Sequence, residues 1–369
     1  MERAEKRKIN ILYISSFPDL QGGGQRSLLL LIDNLDKNRF KPVVIVPQEG
    51  PLSGQLDQSG VETISMAFPR IRSINIFAFI AAVLKLKNIV RRFKIDIIHA
   101  DSTREAFYAG IVRMLTAVEV ILHLRVSDRV GWIDRIVYRL CTRMIAVSKS
   151  LLSSFKDIDI NKKIEVVYNA VDTAVFKPSG NMRCNDGILK IGYFGRIVPR
   201  KGIDLLIKAV RKMKHSLKLI VIGSGEAAYL AQLKDMADDD PRIEFSEYKA
   251  DIRGELDSVD VMVLPSVLGE GLSRIIIESL ALGKVAVVSD NPENVEAIGE
   301  ELNQFAFKTG DANDLARVLA MIAESPELLA AAGEKSRQRA ENLFDAAKNT
   351  KYIEAIYDSI LDKSKNGSD

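Results

Sequence analysis

The chain has 369 residues, a formal net charge of +3, 47% hydrophobic and 27% charged residues, and two cysteines. The length favours two domains over one, and the composition is that of a globular protein able to bury large cores. Cys141 and Cys184 match no metal-ligand spacing and form no disulfide framework, which fits a reducing compartment and predicts a cytoplasmic protein.

The charge is unevenly spread. Residues 1–180 carry 27 basic against 18 acidic side chains, leaving a net −6 on the remainder. A basic first half points to an acidic partner, a membrane surface or a phosphorylated acceptor before nucleic acid. The segment Met1 to Lys8 is charged and runs straight into a strand, so no secretory leader is read there. No apolar run is long enough to span a bilayer.

In chain order, Ile9 to Ser15 reads as a buried strand, Ser27 to Leu35 as a helix, Pro42 to Val46 as a strand and Ile95 to His99 as another. Val120 to Leu124 and Met144 to Val147 continue the series, each followed by helical sequence. Around Lys177 to Gly187 the pattern breaks into a polar stretch of turn formers, read as an interdomain linker. A second alternation follows: Leu189 to Tyr193, Leu217 to Ile222, Ile243 to Phe245, Val259 to Leu264 and Val285 to Ser289. Strands alternating with helices predict α/β architecture with parallel sheets. The boundaries read as residues 1–175 for the first domain, 176–187 for the linker, 188–345 for the second domain and 346–369 for a terminal helix and tail.

Four segments carry possible chemistry. Gly22, Gly23 and Gly24 stand between the first strand and the first helix, where they serve either a turn needing positive φ or close approach of a ligand to backbone amides. Arg196 and Lys201 follow a strand and its glycine turn, a placement suited to a diphosphate or to solvent. Ile220 to Ala228 satisfies Gly-x-Gly-x-x-Ala through Gly223 and Gly225, although this unit is the second strand of its domain and nothing near it resembles a hydride-transfer site. The last and most informative is Leu264 to Gly283. Glu270 lies in a strand-to-helix loop, where open α/β sheets place ligands, and the amides of Gly271, Leu272 and Ser273 suit an anion. Glu278 sits among Ile275, Ile276, Ile277, Leu280 and Leu282, so this carboxylate needs a hydrogen-bonding partner.

Taken in order, Gly22 to Arg26, Asp96 to His99, Ala146 to Ser148, Tyr168 to Asp172, Gly195-Arg196 with Lys201-Gly202, Gly223 to Gly225, and Glu270 to Ser273 with Glu278 span nearly the whole chain. This ordered set resembles the retaining nucleotide-sugar glycosyltransferases of the GT-B fold, family 4. The resemblance implies two Rossmann-like domains facing across a cleft and a last helix returning to the first domain. It implies that Arg196 and Lys201 hold the donor diphosphate, with Gly22 to Gly24 closing on it. It further implies that Glu270 lies near the donor sugar, that Gly271 to Ser273 offer amides, and that Glu278 accepts from the ribose hydroxyls. No metal or other cofactor is implied, and no protein nucleophile. The acceptor attacks on the face the diphosphate leaves, and a diphosphate oxygen can take its proton. The family histidine near the sugar corresponds to His123 or Arg125, which share a strand face. His99 and Arg125 are also candidates for acceptor contact. Where many relatives have Gly-Phe-Gly, this chain has Gly271-Leu272-Ser273.

The resemblance implies transfer from a nucleoside-diphosphate sugar to a glycan or lipid-linked acceptor, as in bacterial surface polysaccharide or glycolipid synthesis. Within the fold, an epimerase or phosphorylase is the alternative; outside it, a silent sugar-nucleotide-binding module. Ile74 to Phe93 is apolar first and basic last. It fits a core helix with a basic solvent-facing end, or a helix lying on an anionic membrane, and the basic first half predicts peripheral contact with anionic lipid. Asp157-Ile-Asp159 reads as a solvated loop rather than a metal motif.

Overall fold

Runs such as Ile11 to Ile14 and Val261 to Leu264 are buried along their whole length, the mark of strands covered on both faces. The structure, a computed structural model, describes residues 7–20, 22–71, 75–126, 132–155, 163–179, 187–269, 271–325 and 327–366. Two units emerge, Met1–Tyr168 with Ala346–Asp369, and Asn169–Asp345.

The first unit alternates β1 (Ile9–Ile14), α1 (Gly23–Asn34), β2 (Phe40–Val46), α2 (Pro51–Gln58), β3 (Glu62–Ser65), α3 (Ile76–Arg92), β4 (Ile97–Ala100) and α4 (Thr103–Leu115). It continues with β5 (Glu119–Leu124), α5 (Trp132–Leu140), β6 (Arg143–Ala146), α6 (Lys149–Leu152) and β7 (Ile164–Val166). The strands form one parallel sheet in the order β3-β2-β1-β4-β5-β6-β7. The register of β1 with β4 sets Tyr13 beside His99. The order reverses beside β1, and ligands of open α/β sheets bind at the carboxyl ends of the strands flanking such a point.

The second unit alternates β8 (Leu189–Phe194), α7 (Ile203–Lys212), β9 (Leu217–Ile222), α8 (Ala227–Ala237), β10 (Ile243–Ser246), α9 (Arg253–Ser258) and β11 (Val261–Leu264). After these come α10 (Arg274–Ala281), β12 (Val285–Ser289), α11 (Pro292–Ile298), β13 (Ala306–Phe307), α12 (Ala312–Glu324) and α13 (Glu327–Leu343). Its sheet is also parallel, in the order β10-β9-β8-β11-β12-β13. Helix α10 has no polar face because every residue from Ile275 to Ala281 is buried. One of its covers is α13, where Gly333 lets the helix approach the Gly283 carbonyl.

The last helix, α14 (Ala346–Asn366), belongs to the first unit. Ile353, Ile356, Tyr357 and Ile360 are spaced at three, one and three residues, so they form one face. They enter the same core as Leu28, Leu29 and Ile32 of α1 and Tyr13 of β1.

Three strands escape the sequence pattern. The chain runs exposed, half-buried, half-buried, exposed along β3, β7 has three residues and β13 two, and none offers the apolar run that marks a covered strand. Helix α1 starts at Gly23, four residues before the predicted Ser27, because the glycines form its first turn. None of Gly22, Gly23 and Gly24 has positive φ, so the turn reading of that loop fails. Asp157 and Asp159, and most of the polar stretch read as a linker, lie outside the described residues.

Candidate functional site

In the first unit the carboxyl ends of β4 and β5 bring His99, Asp101, His123 and Arg125 together. His99 and His123 are nearly inaccessible, at 1% and 4% exposure. Their rings are joined by a hydrogen bond of 2.9 Å between His99 Nε2 and His123 Nδ1. On its other side His99 Nδ1 meets the Tyr357 hydroxyl at 2.7 Å, and Tyr357 meets the Tyr13 hydroxyl at 3.0 Å. Arg125 donates from Nε to Asp101 Oδ1 at 3.3 Å, with a second nitrogen 3.2 Å from the same oxygen. A Cβ on Gly24 would lie 3.4 Å from Arg125 Cδ, so this guanidinium stem runs beside the first turn of α1.

Burial dominates the electrostatics here. It depresses the His99 pKa to about 3, with the Arg125 charge adding to the shift. His123 is held well below the usual imidazole range by burial, then by Arg125 and His99. Asp101 moves the other way, raised by burial although Arg125 pulls it down. Both imidazoles are therefore neutral at pH 7. His123 Nε2 and Asp101 Oδ2 are buried without a hydrogen-bond partner among the described residues.

His99, Asp101 and His123 could each offer one atom to a metal ion, those atoms lying within 4.8 Å of one another. The 2.9 Å bond, however, already joins one nitrogen of each ring. An ion about 2.0 to 2.1 Å from each nitrogen would have to replace it.

In the second unit β8 runs into the loop that carries Arg196 and Lys201. Arg196 is exposed, and Lys201 is buried at the end of a 3-10 turn, Pro199–Lys201. The loop is pinned from inside by the Tyr193 hydroxyl, which donates to the Arg196 carbonyl at 2.7 Å. From the β9 side, Gly195 N donates to Ile222 O at 3.0 Å and Ile197 N to Ser224 O at 2.7 Å. A Cβ on Gly223 would collide with the Gly195 carbonyl, and one on Gly225 with that of Ile197. The glycine fingerprint thus has a structural duty: it lets β9 close against the loop that presents Arg196. Gly202 has φ 66° and faces the Pro265 carbonyl, so β11 crowds the other side of the same loop.

After β11, Glu270 lies outside the described residues. Gly271 has φ 72°, Leu272 turns its side chain into the core, and Ser273 is the N-cap residue of α10 without a side-chain cap. Glu278 is 4% exposed, and the hydrogen-bonding partner it needs turns out to be Arg274, one turn earlier, at 2.8 Å. Arg274 also donates to the Ala170 carbonyl at 2.9 Å, and Asn169 Nδ2 to the Leu272 carbonyl at 2.8 Å.

Asp101, Tyr13, Tyr357 and Arg274 were missed by the sequence reading. Two carried a signal: Asp101 stands two residues after His99, just past the end of β4, and Arg274 stands four residues before Glu278 on one helix.

Two family models match this chain, Glycosyltransferase Family 4 over residues 21–175 and Glycosyl transferases group 1 over residues 183–339. The chain is a family 4, group 1 glycosyltransferase. This glycosyltransferase is 24% identical to the UDP-Gal:alpha-D-GlcNAc-diphosphoundecaprenol alpha-1,3-galactosyltransferase of Escherichia coli, over 96% of this chain and 98% of that protein. It is 23% identical to the capsular polysaccharide biosynthesis glycosyltransferase CapM of Staphylococcus aureus, over 88% of this chain and 91% of that protein. Among solved structures, a glycosyltransferase from Rickettsia africae superposes with a TM-score of 0.86 at 20% identity, covering 96% of this chain and 99% of that one. Anabaena HepE in complex with UDP and glucose superposes at 0.81 and 19% identity, covering 95% and 100%. The fold of the glycosyltransferase is therefore GT-B.

Proposed function

We propose that this glycosyltransferase moves a hexosyl group, with retention at the anomeric carbon, from a nucleoside-diphosphate sugar to a lipid-linked or glycan acceptor in surface polysaccharide or glycolipid synthesis. The observation that carries the donor half is the locked loop of β8. Tyr193, Gly223 and Gly225 fix the backbone around Arg196 and Lys201, so two cations are held at the strand ends before any ligand arrives. As the bond from the anomeric carbon to diphosphate oxygen breaks, charge grows on the diphosphate, and preorganised cations stabilise that charge more than they stabilise the intact donor. The acceptor oxygen bonds to the anomeric carbon and its proton passes to a departing diphosphate oxygen. Glu270 is assigned to the donor sugar, Gly271, Leu272 and Ser273 to its hydroxyls or phosphate through their amides, and Glu278 to the ribose. Gly22, Gly23 and Gly24 are assigned to the donor diphosphate, and His123 and Arg125 to the sugar and acceptor; His99, read from the sequence as an acceptor contact, has both ring nitrogens engaged by Tyr357 and His123 and is assigned to neither. The reaction needs no metal or other cofactor.

A UDP-sugar is the first donor to test, because the Escherichia coli relative is named for UDP-Gal and the HepE crystal holds UDP and glucose. The same relative acts on a diphosphoundecaprenol-linked sugar, which supports a lipid-linked acceptor. Helix α3 supports contact with such an acceptor's membrane. Ile76, Phe77, Ile80 and Leu84 are exposed on it, Phe77 at 79%. They are followed by Lys85, Arg91 and Arg92, and the helix has no acidic residue. Apolar insertion with basic flanks is the chemistry of an anionic lipid surface. Among the described residues no helix is long and apolar enough to cross a membrane.

Incubation with UDP-, GDP- and ADP-sugars tests the reading. Acceptor-dependent nucleotide release supports transfer; interconversion of donors without acceptor, or binding without turnover, would overturn it.

A further inference from the structure

The four hydroxyl and imidazole groups buried beneath Arg125 have a direction. Tyr13, Tyr357, His99 and neutral His123 each carry one mobile proton, and three contacts join them in a row. Run one way, Tyr13 donates to Tyr357, Tyr357 to His99 Nδ1, and His99 Nε2 to His123 Nδ1. Every proton but the last is then used, and that one sits on His123 Nε2. Run the other way, His123 Nδ1 donates to His99 Nε2, His99 Nδ1 to Tyr357, and Tyr357 to Tyr13. Now the Tyr13 proton has no acceptor among the described residues, in a side chain that is 1% exposed, and His123 Nε2 is left as a bare lone pair. If Tyr357 accepts from both neighbours, its own proton is stranded instead. Each alternative leaves one more buried polar group unsatisfied, which biases the equilibrium about fivefold or more toward the first arrangement.

We propose that Tyr357 and His99 are positioning residues that hold His123 as the Nε2–H tautomer. His123 is then a hydrogen-bond donor to a substrate oxygen and takes no proton from the acceptor. The chain of bonds stands on the structure alone; the donor role rests on the reading that His123 faces substrate. Through Tyr357, 258 positions after His99, the last helix sets which atom of His123 carries hydrogen.

Long-range proton–nitrogen NMR spectra of the uniformly 15N-labelled full chain test this at pH 7. There are only three histidines, and the signals lost in His215→Gln identify the third. Protonated Nε2 is expected on both His99 and His123. Tyr13→Phe is expected to keep those tautomers, since Tyr357 still has His99 as acceptor. Tyr357→Phe removes the donor to His99 and is expected to give mixed tautomers on both rings, with sugar transfer reduced about twofold as the share of His123 carrying Nε2–H falls. A protonated Nδ1 on His123 in the unaltered protein would overturn the proposal, and that measurement needs no variant to fold. A single Nε2–H tautomer surviving in Tyr357→Phe would remove Tyr357 from its role. Mixed tautomers with undiminished transfer would instead overturn the donor role of His123, leaving the bond chain intact.

Discussion

Arg274 reaches forward one turn of α10 and donates to Glu278 Oε1 at 2.8 Å, in a place where the two side chains are only 13% and 5% exposed. A carboxylate flanked by three isoleucines is thereby made tolerable, and the helix can be buried on all sides without excluding a charge. Removing Glu278 takes a carboxylate from a buried guanidinium. Glu278→Ala is expected to destabilise the chain by about 3 to 5 kcal/mol, read as a lower urea midpoint, because Arg274 loses this ion pair while staying buried. Glu278→Gln keeps a hydrogen-bond acceptor for Arg274 and should cost less. If Glu278 also binds ribose, the glutamine variant will fold and yet bind UDP about tenfold more weakly by calorimetry, a loss of roughly 1.4 kcal/mol. Unchanged affinity in a folded Glu278→Gln protein would leave Glu278 a structural acid only.

The glycines divide into two kinds, and alanine distinguishes them. Gly24 is helical, has ordinary φ, and its new methyl would meet nothing closer than Arg125 Cδ at 3.4 Å. Gly24→Ala should therefore keep or raise the melting temperature, by up to about 1 kcal/mol of helix propensity, while lowering sugar transfer if a phosphate approaches that backbone. Gly225→Ala would drive a methyl into the Ile197 carbonyl, and Gly202→Ala would combine a collision with φ 66°. Both should lower stability by roughly 1 to 3 kcal/mol and fail by melting before they fail by kinetics.

Acid should destabilise the first unit through its histidines. The folded pKa of His99, about 3, lies below the unfolded value of about 6.5, so the unfolded chain binds more protons between those limits. Stability is complete above pH 6.5 and falls as pH drops toward 3, with a limiting slope of about 1.4 kcal/mol per pH unit for each such histidine. His123 acts with the same sign. Asp101, whose pKa is raised, acts with the opposite sign from that raised value down to its unfolded one. Urea midpoints from pH 7 to 4.5 should decline, and His99→Gln should flatten the decline. A pH-independent midpoint in the unaltered chain would show that these rings are not buried neutral.

Helix α3 gives a test away from the chemistry. Phe77→Ser with Ile80→Ser removes two exposed side chains, so stability should change by no more than about 0.5 kcal/mol per site. Co-sedimentation with phosphatidylglycerol vesicles at low salt should drop several-fold, while turnover of a water-soluble acceptor persists. Equal sedimentation of the variant would remove α3 from the membrane contact.

What could be read in advance followed from local chemistry. The parallel sheets announced themselves because strand runs such as Val285 to Val288 are apolar throughout, and the need of Glu278 for a partner followed from its neighbours. The glycines of the Gly-x-Gly-x-x-Ala pattern were legible as a spacing, but their reason was not: Gly223 and Gly225 make room for the carbonyls of Gly195 and Ile197, on a loop nearly thirty positions earlier. Least legible was the environment of His123. Its partner's partner, Tyr357, lies on a terminal helix whose docking depends on the finished sheet, and no periodicity in either segment encodes that meeting. The edge strand β3 was invisible for the opposite reason, since a strand with two exposed ends has little need of apolar residues.

The first unit takes its core from both ends of the polypeptide. Tyr357 and Ile360 of α14 complete the packing around Tyr13, Leu28 and Ile32, so the half that leaves the ribosome first is the half that is finished last. During synthesis the second unit can close around β8 to β13 while the earlier sheet still waits with one apolar face incompletely covered, and His99 has no Tyr357 hydroxyl to meet until α14 emerges. A nascent chain arrested before α14 would have the loop of Arg196 already pinned by Tyr193 while His99 still lacked the Tyr357 hydroxyl.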